Sequence, residues 1–296
     1  MSTGFVELHC HSTASDGTLT PTEVVELATR SGLSAVALTD HDTVAGVSEA
    51  ASAAKSAGID FLPGIEISAD YPSPGTLHIL GYGVDAQDPK LQRLTDELIA
   101  GRDNRNPRIV AKLNEMGVAV TMQEWEDEAK GSVLGRPHLA AILHRKGYVS
   151  SIKQAFDKYI GQGAPAYVDK ERLTPREAIE RIRASGGVPV LAHPVQLRTE
   201  NDAQLERVVK HLLDLGLVGL EVIHSDHDAQ LVEKYTRLAD RFGLIKTGGS
   251  DFHGSTKKDV ELGLARGRCV PRAFYDRLIE KHEELLRTAH GGGVTS

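Results

Sequence analysis

Cysteine is nearly absent: Cys10 and Cys269 are the only two in 296 residues, too few for a disulfide framework and in keeping with a reducing compartment. Long apolar runs are absent as well, and none approaches the ~20 residues needed to cross a bilayer. The opening Met1-Ser2-Thr3-Gly4 lacks the basic and apolar blocks of a secretory signal, so a cytoplasmic protein without a membrane partner is expected. There is no excess of positive charge either. A formal net charge of −7 leaves no broad basic surface and argues against charge-driven, sequence-independent binding to long duplex nucleic acid. What is present is 40% hydrophobic residues in a chain long enough to bury one large domain, or one domain with an insertion.

The helices are legible from how they open. Thr20-Pro21-Thr22-Glu23 combines a Thr cap, a Pro at the first helical position and a Glu able to close a capping box, which predicts a helix to about Ser31 with Gly32 as its stop. Residues 35–39 then form an uninterrupted apolar run of the kind found in strands covered on both faces. The alternation repeats with a helix over 44–57, a strand over 61–65 leading to Glu66, and a strand over 77–82. It resumes at Thr174-Pro175-Arg176-Glu177, which opens a helix closed by Gly186-Gly187. Strands over 188–192, 217–223 and 244–247 follow, separated by helices over 203–215 and 228–242. A C-terminal helix over 272–290 and a Gly-rich tail, expected to be disordered, end the chain. With the first strand around Phe5, Val6 and Leu8 the count is seven. Strands alternating with helices predict a parallel α/β architecture. Residues 88–167 break the rhythm with helices only and are expected to form a helical insertion between the barrel segments 1–87 and 168–296.

The chemistry gathers at strand ends. His9 and His11 stand at i and i+2, the spacing that puts two side chains on the same side of a pleated strand, and Asp16 follows in a Ser/Gly loop. Imidazole mixed with carboxylate suits manganese, iron or zinc better than calcium. Cys10, between the two histidines, is expected to point the other way, into the barrel wall. His41, Glu66, His78, His193, Asp251 and His253 repeat the arrangement just after or within apolar strands, where parallel sheets and barrels collect their functional groups. Divalent cations on Asp16, Glu66 and Asp251 would make the site locally cationic and suited to an anion. His144, His211, His282 and His290 fall in helical patterns near charged residues and are read as solvated. His224 and His227 could line the pocket or be ordinary loop polarity. Gly135-Arg136-Pro137-His138 sets an Arg and a His beside a Pro at a helix start, and spacing alone leaves a substrate contact and a capped surface turn equally open.

Taken together, His9-Cys10-His11 with Asp16-Gly17, Thr39-Asp40-His41-Asp42, Gly64-Ile65-Glu66, the His78 strand, Ala192-His193-Pro194 and Ser250-Asp251-Phe252-His253 resemble the PHP (polymerase and histidinol phosphatase) family, and within it the TrpH-like phosphoesterases, over nearly the whole chain. The resemblance implies a distorted seven-stranded β/α barrel with three divalent ions, commonly manganese, with iron or zinc also seen. It implies that His9, His11, Glu66 and Asp251 hold one ion, that Glu66, His78 and His193 hold a second, and that Asp16, His41 and His253 hold the third. A hydroxide held at Glu66, Asp251 and His193 would then attack phosphorus. Arg136 and His138 are implied as substrate contacts. The implied substrate is a small anionic phosphoester, either a nucleoside 3′,5′-bisphosphate losing its 3′-phosphate or the 5′ end of a short RNA. Histidinol phosphate or another small metabolite is the alternative within enzymes, and a metal-binding scaffold module is the alternative outside them.

Overall fold

The computed structural model describes residues 4–72, 74–129, 134–169 and 172–291. The element order is β1 (Phe5–Cys10), α1 (Pro21–Arg30), β2 (Ala35–Leu38), α2 (Val47–Ala57), β3 (Asp60–Ala69), β4 (Leu77–Tyr82), α3 (Pro89–Glu115), α4 (Met122–Ala129), α5 (Arg136–Arg145) and α6 (Ile152–Ala155). It continues with α7 (Pro175–Ala184), β5 (Val188–Leu191), α8 (Asp202–Asp214), β6 (Gly219–Ile223), α9 (Ala229–Phe242), β7 (Ile245–Gly248), β8 (Val270–Pro271) and α10 (Arg272–Gly291). The predicted openings of α1 and α7 form as full capping boxes. Thr20 Oγ1 accepts from the Glu23 amide while Glu23 accepts from the Thr20 amide, and Thr174 and Glu177 do the same, with Pro21 and Pro175 at the first helical positions. The tail, expected to be disordered, lies beyond Gly291 and outside the described residues.

The strands lie in the order β7-β6-β5-β4-β3-β2-β1-β8. Within β1–β3 and within β5–β7 neighbours are parallel, as expected. The all-parallel, seven-strand expectation needs two corrections. β4 runs antiparallel to both β3 and β5. β3 continues past residue 65 through Glu66 to Ala69, and the few residues before β4 leave no room for the crossover that a parallel neighbour requires. The two-residue β8 adds an eighth strand, antiparallel to β1. The chain after β7 then runs alongside β1: the Asp251 amide donates to His9 O at 2.8 Å and the His11 amide to Phe252 O at 2.9 Å, drawing the sheet into a nearly closed barrel.

Apolar packing sets this frame. Val6, Leu8, Ile65, Ile67, Ile79, Val190 and Leu220 fill the main core, and Tyr82, fully buried, donates its hydroxyl to Leu8 O at 2.9 Å. Cys10 faces a second cluster with Val24, Val25, Ala28, Val36 and Leu38, between the sheet and α1 and α2. It therefore points away from its histidine neighbours. A third cluster lies among residues 109–168 and holds Ile109, Leu113, Trp125, Leu139 and Ile142. α3 joins two of these regions, since its Leu91, Leu94 and Leu98 belong to the main core and its Ile109, Val110 and Leu113 to the third.

Candidate metal centre

Glu66 is the hub. Its Oε2 lies 3.4 Å from His9 Nε2, 3.4 Å from His11 Nε2 and 2.8 Å from His41 Nδ1, while its Oε1 lies 2.8 Å from His78 Nδ1 and 2.9 Å from His193 Nε2. Asp251 Oδ1 stands 3.2 Å from His11 Nε2 and 3.6 Å from His9 Nε2, and Asp16 Oδ1 stands 3.3 Å from His253 Nε2. β1 delivers His9 and the loop after it His11 and Asp16, β3 delivers Glu66, β4 delivers His78, and the turns after β2, β5 and β7 deliver the rest. His193 and Asp251 take up positive φ, 23° and 56°, a strained backbone that persists at sites where the surroundings demand a particular side-chain direction. The structure thus brings His9, His11, Asp16, His41, Glu66, His78, His193, Asp251 and His253 to one place.

Their donor atoms fall into overlapping groups able to hold cations: His11, Asp16, His41 and His253; His9, Glu66 and His193; His9, His11 and Asp251; His41, Glu66 and His78. Among the described residues, His9 Nε2, both ring nitrogens of His11, His41 Nδ1 and Glu66 Oε2 are buried without a partner in hydrogen-bonding geometry, close as the carboxylates are. Leaving so many polar atoms unsatisfied is costly, and a cation between them removes the cost. The residues present fit bound metal.

The electrostatics agree. Burial would raise the Glu66 carboxyl, but the imidazoles of His41, His78 and His9 outweigh it and hold it well below the usual range. Burial likewise opposes ionisation of Asp251 and Asp16. Lys257 and His253 overcome it for Asp251, His253 and His41 for Asp16, and both carboxyls lie well below their ordinary value. Burial, with His253 and His41 nearby, drives His11 well below its ordinary value, so the ring keeps one nitrogen available as a lone pair. Burial also brings His78 down to about 4.

Several buried carboxylates escaped the sequence reading. Asp40 accepts from the Ser12 amide and from the hydroxyls of Ser12 and Ser15, which fixes the loop carrying His11 and Asp16. Glu7 accepts from the amides of His9, Ser250 and Gly263 and ties β1 to the turn after β7. Glu221, in β6, meets His9 Nδ1 at 2.9 Å. The available signal was a charge inside an apolar strand run, as in Gly219-Leu220-Glu221-Val222-Ile223. His224 sits at the centre, its Nε2 3.3 Å from Asp251 Oδ2, whereas His227 donates from Nδ1 to Val222 O. Of the histidines read as solvated, His144 and His211 are exposed. His282 instead packs on Gly83 with a buried Nε2, a correction that follows from α10 folding back on the barrel. The side chain of His290 lies outside the described residues.

Beside the cage opens a cavity of about 170 Å³, lined by Asp16, His41 and His78 of the cage together with Arg105, Arg136 and Arg172. Arg136 donates to Ile160 O at 3.0 Å and lies over the Tyr167 ring at 5.2 Å. Arg172 donates to Tyr167 Oη and to Asp169. His138 accepts from the Gly135 amide at 3.3 Å as part of the α5 cap, and it is not among the cavity-lining residues. Arg105 and Arg172 were not visible as site residues in the sequence, since isolated arginines carry no motif.

A barrel whose strand ends deliver a buried His/Asp/Glu cage beside a cationic cavity belongs to the metal-dependent hydrolases of phosphate esters. Residues 7–225 match the PHP domain, and the chain belongs to that family. It is 38% identical to a 5′-3′ exoribonuclease of Haemophilus influenzae over 83% of this chain and 89% of the relative. It is 35% identical to a 3′,5′-nucleoside bisphosphate phosphatase of Chromobacterium violaceum over 87% and 90%. A Bifidobacterium adolescentis structure provisionally assigned as a metal-dependent phosphoesterase superposes with a TM-score of 0.82 at 30% identity, covering 93% of this chain and 95% of the other.

Proposed function

We propose that this phosphoesterase removes the 3′-phosphate of nucleoside 3′,5′-bisphosphates, trims nucleotides from the 5′ end of short RNA, or does both. The observation that carries the reading is the cavity, whose lining joins cage residues Asp16, His41 and His78 to Arg105, Arg136 and Arg172. One phosphate at the cage and a second at the arginines describes a bisphosphate or an RNA end better than it describes a lone monoester. Guanidinium forks suit phosphate oxygens, and Tyr71 and Phe156, which also line the cavity, offer faces on which a base can stack. His138 serves this wall indirectly, by capping the helix that begins with Arg136.

Three divalent ions, manganese in this reading, would be held by His9, His11, Glu66 and Asp251, by Glu66, His78 and His193, and by Asp16, His41 and His253. Such ions supply Lewis acidity and an acidified water. Glu66 and Asp251 would hold ions beside the cavity, where the scissile phosphate would lie, and Arg136 grips the neighbouring phosphate. The helical stretch 88–167 furnishes that grip as an insertion in the barrel. A cytoplasmic setting belongs to the same reading, supported by the two free cysteines and by the absence, among the described residues, of a helix able to cross a membrane.

The test is turnover with added manganese on adenosine 3′,5′-bisphosphate, a short 5′-phosphorylated RNA and histidinol phosphate side by side. The expected order puts the first two far ahead, and preference for histidinol phosphate would overturn the reading. Arg136→Ala is expected to raise KM for the bisphosphate about 10- to 100-fold, the worth of a charged hydrogen-bond pair. It should leave a plain monophosphate within about threefold, and equal effects on both would remove Arg136 from recognition.

A further inference from the structure

We infer that Glu221 is a positioning residue that sets the tautomer of His9 and so decides which of its nitrogens can face a metal ion, an inference that rests on the metal-centre reading above. Glu221 is fully buried near the middle of β6. Its two oxygens do separate work. Oε1 lies 2.9 Å from His9 Nδ1, and Oε2 accepts from the His193 backbone amide at 2.7 Å. A carboxylate has only acceptors to offer, so the proton between Glu221 and His9 must sit on His9 Nδ1. With Nδ1 protonated, Nε2 is the nitrogen left to offer a lone pair to an ion, and it is the atom that faces Glu66 Oε2 and Asp251 Oδ1. The second oxygen holds the backbone of His193 at its unusual positive φ. One side chain therefore orients a ligand on β1 and a ligand after β5, 184 residues apart in sequence, although nothing in the cavity touches it.

Glu221 also stands beside His9 and His224 in a grouping that could itself cage a cation. Its hydrogen bonds argue otherwise. Both oxygens already face N–H donors, and His224 accepts the Asp226 amide at Nδ1, which puts its proton on Nε2, facing Asp251 Oδ2 rather than a metal. Glu221 and His224 are thus outer partners of His9, His193 and Asp251, of the kind that fix ligand direction at metal sites.

Glu221→Gln separates these roles. A glutamine has one acceptor and one donor end. Satisfying the His193 amide turns its NH2 toward His9 Nδ1, which must then give up its proton and carry it on Nε2 instead.

The experiment records long-range 1H–15N histidine spectra of the full chain, wild type and Glu221→Gln, stripped of metal and then loaded with diamagnetic Zn2+, with metal content read by equilibrium dialysis. In the wild type His9 is expected to keep its Nδ1 proton both before and after loading. In Glu221→Gln the proton should move to Nε2, and affinity for the ions touching His9 should fall about 10- to 100-fold, while binding at Asp16, His41 and His253 persists. A bare Nδ1 in the metal-free wild type, or loss of its proton on loading, would overturn the inference, the latter by making Glu221 a direct ligand. So would a Gln variant that binds metal like wild type. A wild type that binds no metal would sink the metal-centre reading instead, leaving the tautomer measurement standing. The wild-type spectra need no variant, so a poorly folding Gln form leaves the question answerable.

Discussion

Burial pushes the Cys10 thiol well above its ordinary value, and the nearby charge of Glu7 adds to it. The side chain is fully buried and donates to Ala37 O at 3.2 Å, whereas Cys269 is only partly covered. Native protein is therefore expected to react with a thiol reagent at Cys269 alone, and denatured protein at both cysteines. Mass spectrometry of the alkylated peptides checks this, and rapid native labelling of Cys10 would contradict its placement behind the metal ligands. The same residue shows what can be read from sequence. His9, Cys10 and His11 alternate along a strand, so the opposite directions of ligand and thiol follow from pleat geometry alone. Which carboxylate meets His9 does not follow. Glu221 is 212 residues away, and only the closing of the sheet, with the chain after β7 running alongside β1, brings it near.

Among the elements, the capped helices were the most legible, because a cap is a local device. At α7 the Thr174 hydroxyl accepts from the Glu177 amide, and Thr174→Ala is expected to cost about 1 kcal/mol in urea unfolding at neutral pH. Glu177 carries a pH signature. Hydrogen bonds from the Thr174 amide and hydroxyl hold its carboxyl below the ordinary value. A folded value lower than the unfolded one stabilises above the unfolded value and stops doing so as pH falls through the folded one. The stability gap between wild type and Glu177→Gln should therefore close on acidification, and a gap that widened would refute the capping account. β4 was the least legible in direction. Its apolar run reads the same for a parallel or an antiparallel neighbour, and only the short return from Ala69 to Leu77 decides. β8, with two residues, carries no periodicity at all. Glycines show how tightly the elements meet: a Cβ on Gly249 would lie 2.4 Å from both the amide nitrogen and Cβ of His9. Gly249→Ala is expected to displace β1 at the cage and to abolish high-affinity metal binding while far-UV circular dichroism stays near wild type. Unchanged metal content would show that the close approach is dispensable.

At the scale of the whole molecule, the cage and the helical stretch are joined by α3, whose two halves pack in different clusters, and by the cavity whose walls they share. Without bound cations the barrel mouth holds buried carboxylates and imidazole nitrogens that lack proper partners. Metal that binds only the folded chain stabilises it by about 2.7 kcal/mol at a hundredfold excess over Kd. Chelation is therefore expected to lower Tm and manganese to restore it, in a concentration-dependent way. The sole tryptophan extends the argument. Trp125 is fully buried in the helical cluster and donates to Gly135 O, next to Arg136. It is therefore a reporter remote from the ligands yet tied to the cavity wall. Because α3 packs in both clusters, metal at the barrel mouth should raise the Trp125 fluorescence transition together with the far-UV transition. If added metal moved the far-UV transition while the fluorescence transition stayed fixed, the helical stretch would be melting as an independent unit. The cavity could then open or close without consequence for the cage.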